Sequence, residues 1–509
     1  MVKDNNSRNG KLNMIYGTIS QIVILVFSIL IPRYVIITYG SEANGLVNSL
    51  NQIYNYASLL EFGVGTASIM TVYKAIAENN KKEMNTIVST TAHYYKRTGL
   101  VYGTIVIVVS FLYPIIIKSD LNSKDVIEVA LFTGIAYAMN YIIQGKYSVV
   151  LQAYGKLYVI SSSQMILAVI SQLSKLLIMY LGLSIVYLQL SFLILNTLKI
   201  LFIVLYTKKT FPYISFNGKC DYSLIKEKNY VMVHQISNLI FTSTDSIMLS
   251  IFSNLTNVSI YSVYNLVMNA VSSIVVTLSN SYNHLLANKF NTNKNNYIFY
   301  HERFETGYYL LVFTVYSTVY MSITKFISIY TNGISNVEYA NKGLSILFVI
   351  VALLSAIRNP LAKMIDFSKN YKETKNQAIL EMIINISITI ISIKMFGIYG
   401  ALIGTIVALL YRSNAIIIYV NHKILNRSTV KTYKKLLINT LVFIMFVIID
   451  YFIKINVNNY FTLIIYSGLV FICSNIIFII CNIIINREEV LWLLKYVDKN
   501  FIIFREKVK

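Results

Sequence analysis

Five basic side chains, Arg33, Lys175, Lys199, Arg358 and Arg412, sit inside long apolar runs of the sequence, together with two acids, Glu61 and Asp245. An ionised group is costly in such surroundings and faces a cavity or a partner, so each is a candidate functional residue. Arginine offers a planar fork of donors matched to phosphate oxygens, and lysine a compact positive charge. The cations outnumber the acids, which suits a cavity that receives a phosphorylated group. Arg33 follows Pro32, where a loosened helical turn can line a cavity. Arg33 and Arg412 are the favoured contacts to such a headgroup, followed by Lys199, Arg358 and Lys175. Long lysine stems can equally snorkel to an interface, and Arg358, close to Pro360, can equally be an anchor at a helix end.

The acids suggest a second kind of chemistry. Glu61 lies beside Gly63 and Gly65, which permit close helix approach, and its alternative reading is an ion pair with one of the arginines. Asp245 lies in the run Thr242, Ser243, Thr244, Asp245, Ser246, whose oxygens could hold a coupling ion, H+ or Na+. His234 would add a proton relay, and a hydrogen-bonded contact between helices is the alternative. No other cofactor is indicated. The five histidines and three cysteines (Cys220, Cys473, Cys481) show no metal-ligand spacing and no disulfide framework. The pattern GxxxxGK[ST] is absent, so ATP hydrolysis is not expected of this chain, and no enzyme activity is indicated.

These residues must be positioned by helices. Of the 509 residues, 56% are apolar and only 13% charged, with a mean hydropathy of +0.60 and four prolines. A soluble chain is about a quarter charged. The apolar residues fall in about fourteen runs near the roughly 20-residue length that crosses a bilayer, among them 12–38, 44–73, 230–252, 306–330 and 376–396. The fold class expected is an all-α integral membrane protein.

The net charge of +22 invites a nucleic-acid reading, but most of the 44 basic residues fall in alternate loops. The intervening loops carry only Lys118, Lys124, Lys325, Lys342, Lys394 and Lys454. That asymmetry is a topology signal, placing both termini in the cytoplasm. The opposite loops are short and leave no room for an external catalytic domain.

Sliding the chain along itself by about 215 residues superposes Gly182 on Gly397, Lys208 on Lys423 and Gly45 on Ser259. Two six-helix lobes related by an axis along the membrane normal are expected, because an even helix number inserts both copies the same way. The divisions are 1–210 for the first lobe, 211–228 for a cytoplasmic linker and 229–425 for the second lobe. Residues 426–486 form helices thirteen and fourteen, and 487–509 an amphipathic tail. Val490, Leu494, Val497, Phe501 and Phe504 share one face of that tail, which either lies on the inner leaflet or packs on the end of the bundle.

Three segments carry a resemblance. LLEFGVGTASIMTVYKAIAENNKKEMNTIVST (59–90), TSTDSIMLSIFSNLTNVSIYSVYNLV (242–267) and DFSKNYKETKNQAILEMIINISITIISIKMFGIYGALIGTIVALLYRS (366–413) are together similar, in order and spacing, to the polysaccharide flippases. These are the Wzx-like branch of the multidrug/oligosaccharidyl-lipid/polysaccharide exporter superfamily. The resemblance implies a bacterial plasma-membrane protein that moves undecaprenyl-pyrophosphate-linked oligosaccharide from the inner to the outer leaflet. Its implied partners are that lipid-linked oligosaccharide, membrane lipids, a polysaccharide polymerase and glycosyltransferases, with no nucleic acid. A lipid II or sporulation-type flippase and a multidrug antiporter are the alternatives, and a membrane-embedded polymerase stands behind them.

Overall fold

The computed structural model describes residues 2–57, 59, 64–78, 80–225, 229–292, 294–334, 337–452 and 455–495. Every regular element among them is helical, the solution forced on a lipid-immersed chain that must satisfy its own backbone groups. Among the described residues twelve helices are long and apolar enough to cross a membrane. Two of the expected fourteen spans are not among them. The run 44–73 forms two helices, α2 (Ser41–Ala57) and α3 (Val64–Ala77), after α1 (Val2–Tyr39). The run 230–252 forms α9 (Asn229–Phe252), of which only Leu239–Phe252 is strongly apolar.

The chain divides into two compact units, Met1–Ser262 and Val263–Lys509. These follow contacts and not the repeat, because α9 packs on α2. The first unit also contains α4 (Lys81–Ile116), α5 (Ser123–Met139), α6 (Gly145–Ala153), α7 (Leu157–Tyr180) and α8 (Ile185–Thr210). Helix α10 (Leu255–Thr292) begins in it. At that beginning Asn44 Nδ2 donates to Ser259 Oγ at 2.8 Å and to Ser262 Oγ at 3.1 Å. Gly45 rests on the Leu255 carbonyl, where a Cβ would collide with backbone. The first turns of α2 and α10, equivalent under the repeat, therefore touch each other.

The linker is fastened to the first unit along α4. Ser215 N donates to Asn85 Oδ1 at 3.1 Å, Gly218 N to Ser89 Oγ at 2.7 Å and Asp221 N to Thr90 Oγ1 at 2.8 Å. Tyr222 sets its ring edge-on to His93.

The second unit holds α11 (Lys294–Tyr330), α12 (Lys342–Ile357), α13 (Asn359–Ser368), α14 (Tyr371–Phe396), α15 (Ile398–Tyr419), α16 (Val430–Phe452) and α17 (Tyr460–Ile485). Helix α11 starts a dozen residues before the expected 306, so His301, Glu302 and Glu305 are helical and not in a loop. The helix continues through these polar residues because each finds a buried partner, as described below. Of the two positions expected for the tail, helix 487–495 takes the one on the bundle. Val490 is 1% exposed, and Trp492 packs edge-on to Phe299 and Tyr300. Val497, Phe501 and Phe504 lie outside the described residues.

Two kinds of break recur at the interval of about 215 residues. Gly182 and Gly397 both take positive φ, 67° and 56°, at the turn between two long helices, a conformation that glycine reaches without a Cβ penalty. A five-residue π-helical turn, Asn140–Gln144, joins α5 to α6, and in register with it Arg358 interrupts α12 and α13 just before Pro360.

Candidate functional site: a polar junction built twice

The interrupted helix, the next helix and the one after it meet in each half. In the second half the junction is ionic. Glu381 on α14 is 7% exposed and accepts from Arg358 Nη1 through Oε1 at 2.6 Å. Its other oxygen lies 3.4 Å from Arg412 Nε on α15. Arg412, 5% exposed, also donates to Gln377 Oε1 at 3.0 Å. One carboxylate thus serves two guanidiniums, and Arg412 and Arg358, expected as headgroup contacts, are both ion-paired here. Glu381 escaped the sequence reading because it lies in the first turns of its span, where an acid looks like an interfacial residue.

In the first half the same junction carries cations without an acid. The π-helical turn presents Asn140, whose Oδ1 is 3.3 Å from Lys199 Nζ on α8, and Gln164 Oε1 of α7 lies 3.4 Å from the same nitrogen. Such turns insert one residue into the helical ladder and re-aim a side chain. In the register that pairs Gly182 with Gly397, Ile166, an exposed apolar residue, stands where Glu381 stands in the second half. Among the described residues Lys199 has no carboxylate within ion-pair distance. Neither has Lys175, whose ammonium lies 5.7 Å from the Phe192 ring.

Arg33 lies at the level of the same part of α7. Helices α1 and α7 are pinned by Asn13 to Gly155 and Tyr158 at one end and by Tyr39 to Leu183 at the other. Interpolation puts Arg33 level with Leu177, within about one turn of Lys175.

Asp245 is 3% exposed and accepts from Tyr261 Oη at 3.0 Å. Beside it, Tyr56 of α2 bonds the Ile240 carbonyl at 3.1 Å and the Thr244 hydroxyl. The carboxylate therefore belongs to the seam where α2 meets α9. His234 is not brought to it, lying eleven residues earlier on the same helix, about 16 Å along the axis. Glu61 lies outside the described residues. Among those described, no group of three His, Cys, Asp or Glu could hold a metal ion.

Two further charged clusters were not singled out in the sequence. Glu305 on α11 is fully buried and meets Arg427 Nη2 at 2.9 Å and Lys435 Nζ at 3.2 Å, while Glu302 holds Lys431 at 2.9 Å. Burial opposes the Arg427 charge, but Glu305 and then Glu302 outweigh it and hold the guanidinium above its ordinary pKa. At the far end of α11, Asp450 on α16 meets Lys325 at 3.2 Å and Lys342 at 3.0 Å. Together these clusters fasten α16 to α11 at both ends.

The Glu381 triad has a measurable consequence. Arg412→Gln leaves the carboxylate with Arg358 alone, and a loss of about 3 kcal/mol is expected from breaking a buried pair on one side. Adding Glu381→Gln should recover part of it. The measurement is the yield of monodisperse protein and its unfolding midpoint in detergent. If the double variant is less stable than Arg412→Gln alone, the triad does not carry that energy.

With interrupted helices, buried charge junctions and apolar outer faces, the chain is an all-α, multi-pass membrane protein. Its fold is shared with solved structures of the MOP superfamily. The lipid II flippase MurJ in an inward closed conformation matches with a TM-score of 0.69 at 15% identity, over 94% of this chain and 99% of that one. An inward-facing multidrug resistance MATE transporter matches with a TM-score of 0.55 at 13% identity, over 79% and 98%. The Vibrio cholerae MATE transporter VcmN gives 0.52 at 12% identity, over 84% and 99%. No protein-family model matches the sequence, and no curated protein is similar to it in sequence.

Proposed function

We propose that this chain moves undecaprenyl-pyrophosphate-linked oligosaccharide from the inner to the outer leaflet of a bacterial plasma membrane by alternating access. The observation that carries the proposal is the acid-free junction around Lys199. Its twin in the second half neutralises its cations with Glu381. A half-buried ammonium held by amide oxygens, with no carboxylate beside it among the described residues, suits a pyrophosphate whose lipid tail remains in the bilayer. Lys175 and Arg33, level with each other and further along α7, extend the path. The shared fold with a lipid II flippase supports a second reading in which the cargo differs only in its sugar. Drug antiport is disfavoured, because the ammoniums of Lys199 and Lys175, which have no carboxylate within ion-pair distance among the described residues, repel a cationic drug.

In this reading both termini are cytoplasmic and the lobes 1–210 and 229–425 rock about a cavity between them. The contact of Asn44 with Ser259 then closes the outer side, and Asp245, in the adjoining seam, is the group through which H+ or Na+ would bias it.

The test is a leaflet-translocation assay in proteoliposomes with pyrophosphate-linked lipid. Cysteines replacing Asn44 and Ser259, in a background where Cys220, Cys473 and Cys481 are replaced, are joined by a short bifunctional reagent. Translocation is expected to stop and to resume on cleavage of the link. Full translocation in the linked protein excludes alternating access through this seam. Lipid-linked pyrophosphate that is not translocated even by the unlinked protein excludes the cargo.

A further inference from the structure

A second basic cluster, separate from the Lys199 junction, lies where α4, α6 and α8 converge with the linker. Lys146 opens α6. Its ammonium sits 5.5 Å from the Tyr147 ring and 5.4 Å from that of Phe216, a linker residue, and the two rings are 4.7 Å apart. Gly145 beside it lies against the Tyr95 ring of α4, the residue before Lys96. Lys208 approaches from the last turn of α8, and both lysines are close enough to repel Lys146. Among the described residues no Asp or Glu pairs with any of the three.

Retention of basic residues on one side of the membrane explains why lysines occur at this end. It does not explain why Lys146 stands over a half-buried pair of rings with Lys96 and Lys208 near enough to repel it. We propose that Lys96, Lys146 and Lys208 form a site for a phosphate-bearing anion, with Tyr147 and Phe216 as its apolar floor. Three ammoniums match the charge and acceptor oxygens of a phosphate monoester or pyrophosphate. The rings suit an anion that arrives attached to a lipid, and the linker, bonded to α4 through Asn85, Ser89 and Thr90, keeps Phe216 in place. The proposal is independent of what the chain transports.

The experiment uses the full chain in nanodiscs of zwitterionic lipid. In one arm phosphatidic acid is added and the number of retained copies is counted by native mass spectrometry. In the other, soluble pyrophosphate is titrated and its binding read by calorimetry. Lys146→Met keeps the apolar packing, the pair Lys96→Gln with Lys208→Gln alters only exposed residues, and Lys434→Gln is the control. Roughly tenfold weaker binding is expected for each lysine removed, the worth of one charge-assisted contact. A loss confined to phosphatidic acid identifies a lipid headgroup as the source, and a loss in the pyrophosphate arm a free anion. Binding that matches the parent in both arms for both variants overturns the site.

Discussion

Glu305→Gln is expected to cost about 3–5 kcal/mol of stability, the penalty for leaving buried charges without their partner. Glu305 is fully buried and accepts from Arg427, Lys435 and the Thr432 hydroxyl, the last at 2.8 Å. Glutamine keeps the shape and removes the charge, so two cations with side chains 6% and 4% exposed are left with Glu302, which already holds Lys431. The loss should appear as a much lower unfolding midpoint in detergent and a poor yield of folded protein. Replacing the whole group with apolar residues, Glu305→Leu with Arg427→Met and Lys435→Met, should recover much of it, since no charge then remains to be desolvated. A midpoint for Glu305→Gln equal to the parent's would show that water reaches the cluster and that it fastens nothing.

The second large effect concerns transport and has an unusual sign. Lys199→Gln is expected to lower translocation about a hundredfold, through loss of a charge-assisted contact worth up to roughly 3 kcal/mol. Gln164→Glu should lower it as much by the opposite operation. It adds no bulk and removes no cation, but it places a carboxylate 3.4 Å or so from the ammonium and so reproduces the neutralised twin junction. Its stability should be unchanged or higher. A purely structural Lys199 predicts the reverse pattern, with Gln164→Glu stabilising and fully active. Translocation per folded copy, with unfolding midpoints on the same samples, separates the two.

The sequence and the structure differ where partners lie far apart along the chain. The long apolar helices, the repeat and the intramembrane Lys175 and Lys199 were legible because length, hydropathy and isolated charge are local properties. Gly182 and Gly397 were found in register by the same means, and their shared positive φ gives the physical reason. Glu381 was not legible, since nothing near it in sequence reveals that Arg358 and Arg412 converge on one carboxylate. Glu302 and Glu305 fall just before the expected span 306–330, and nothing local marks them, because their counter-charges lie over a hundred residues away.

The two ionic clusters on α11 have a consequence for the membrane itself. Glu305 and Lys325 are twenty residues apart on one helix, about 30 Å, which is the hydrocarbon thickness of an ordinary bilayer. A bilayer of that thickness would set each cluster at a polar boundary, with the distance between them acting as a fixed ruler. In lipids with shorter acyl chains that ruler cannot shrink, so the helix must tilt or the bilayer must thicken around it. Acyl-chain length thus becomes a variable to which this protein responds even when the headgroups are held constant.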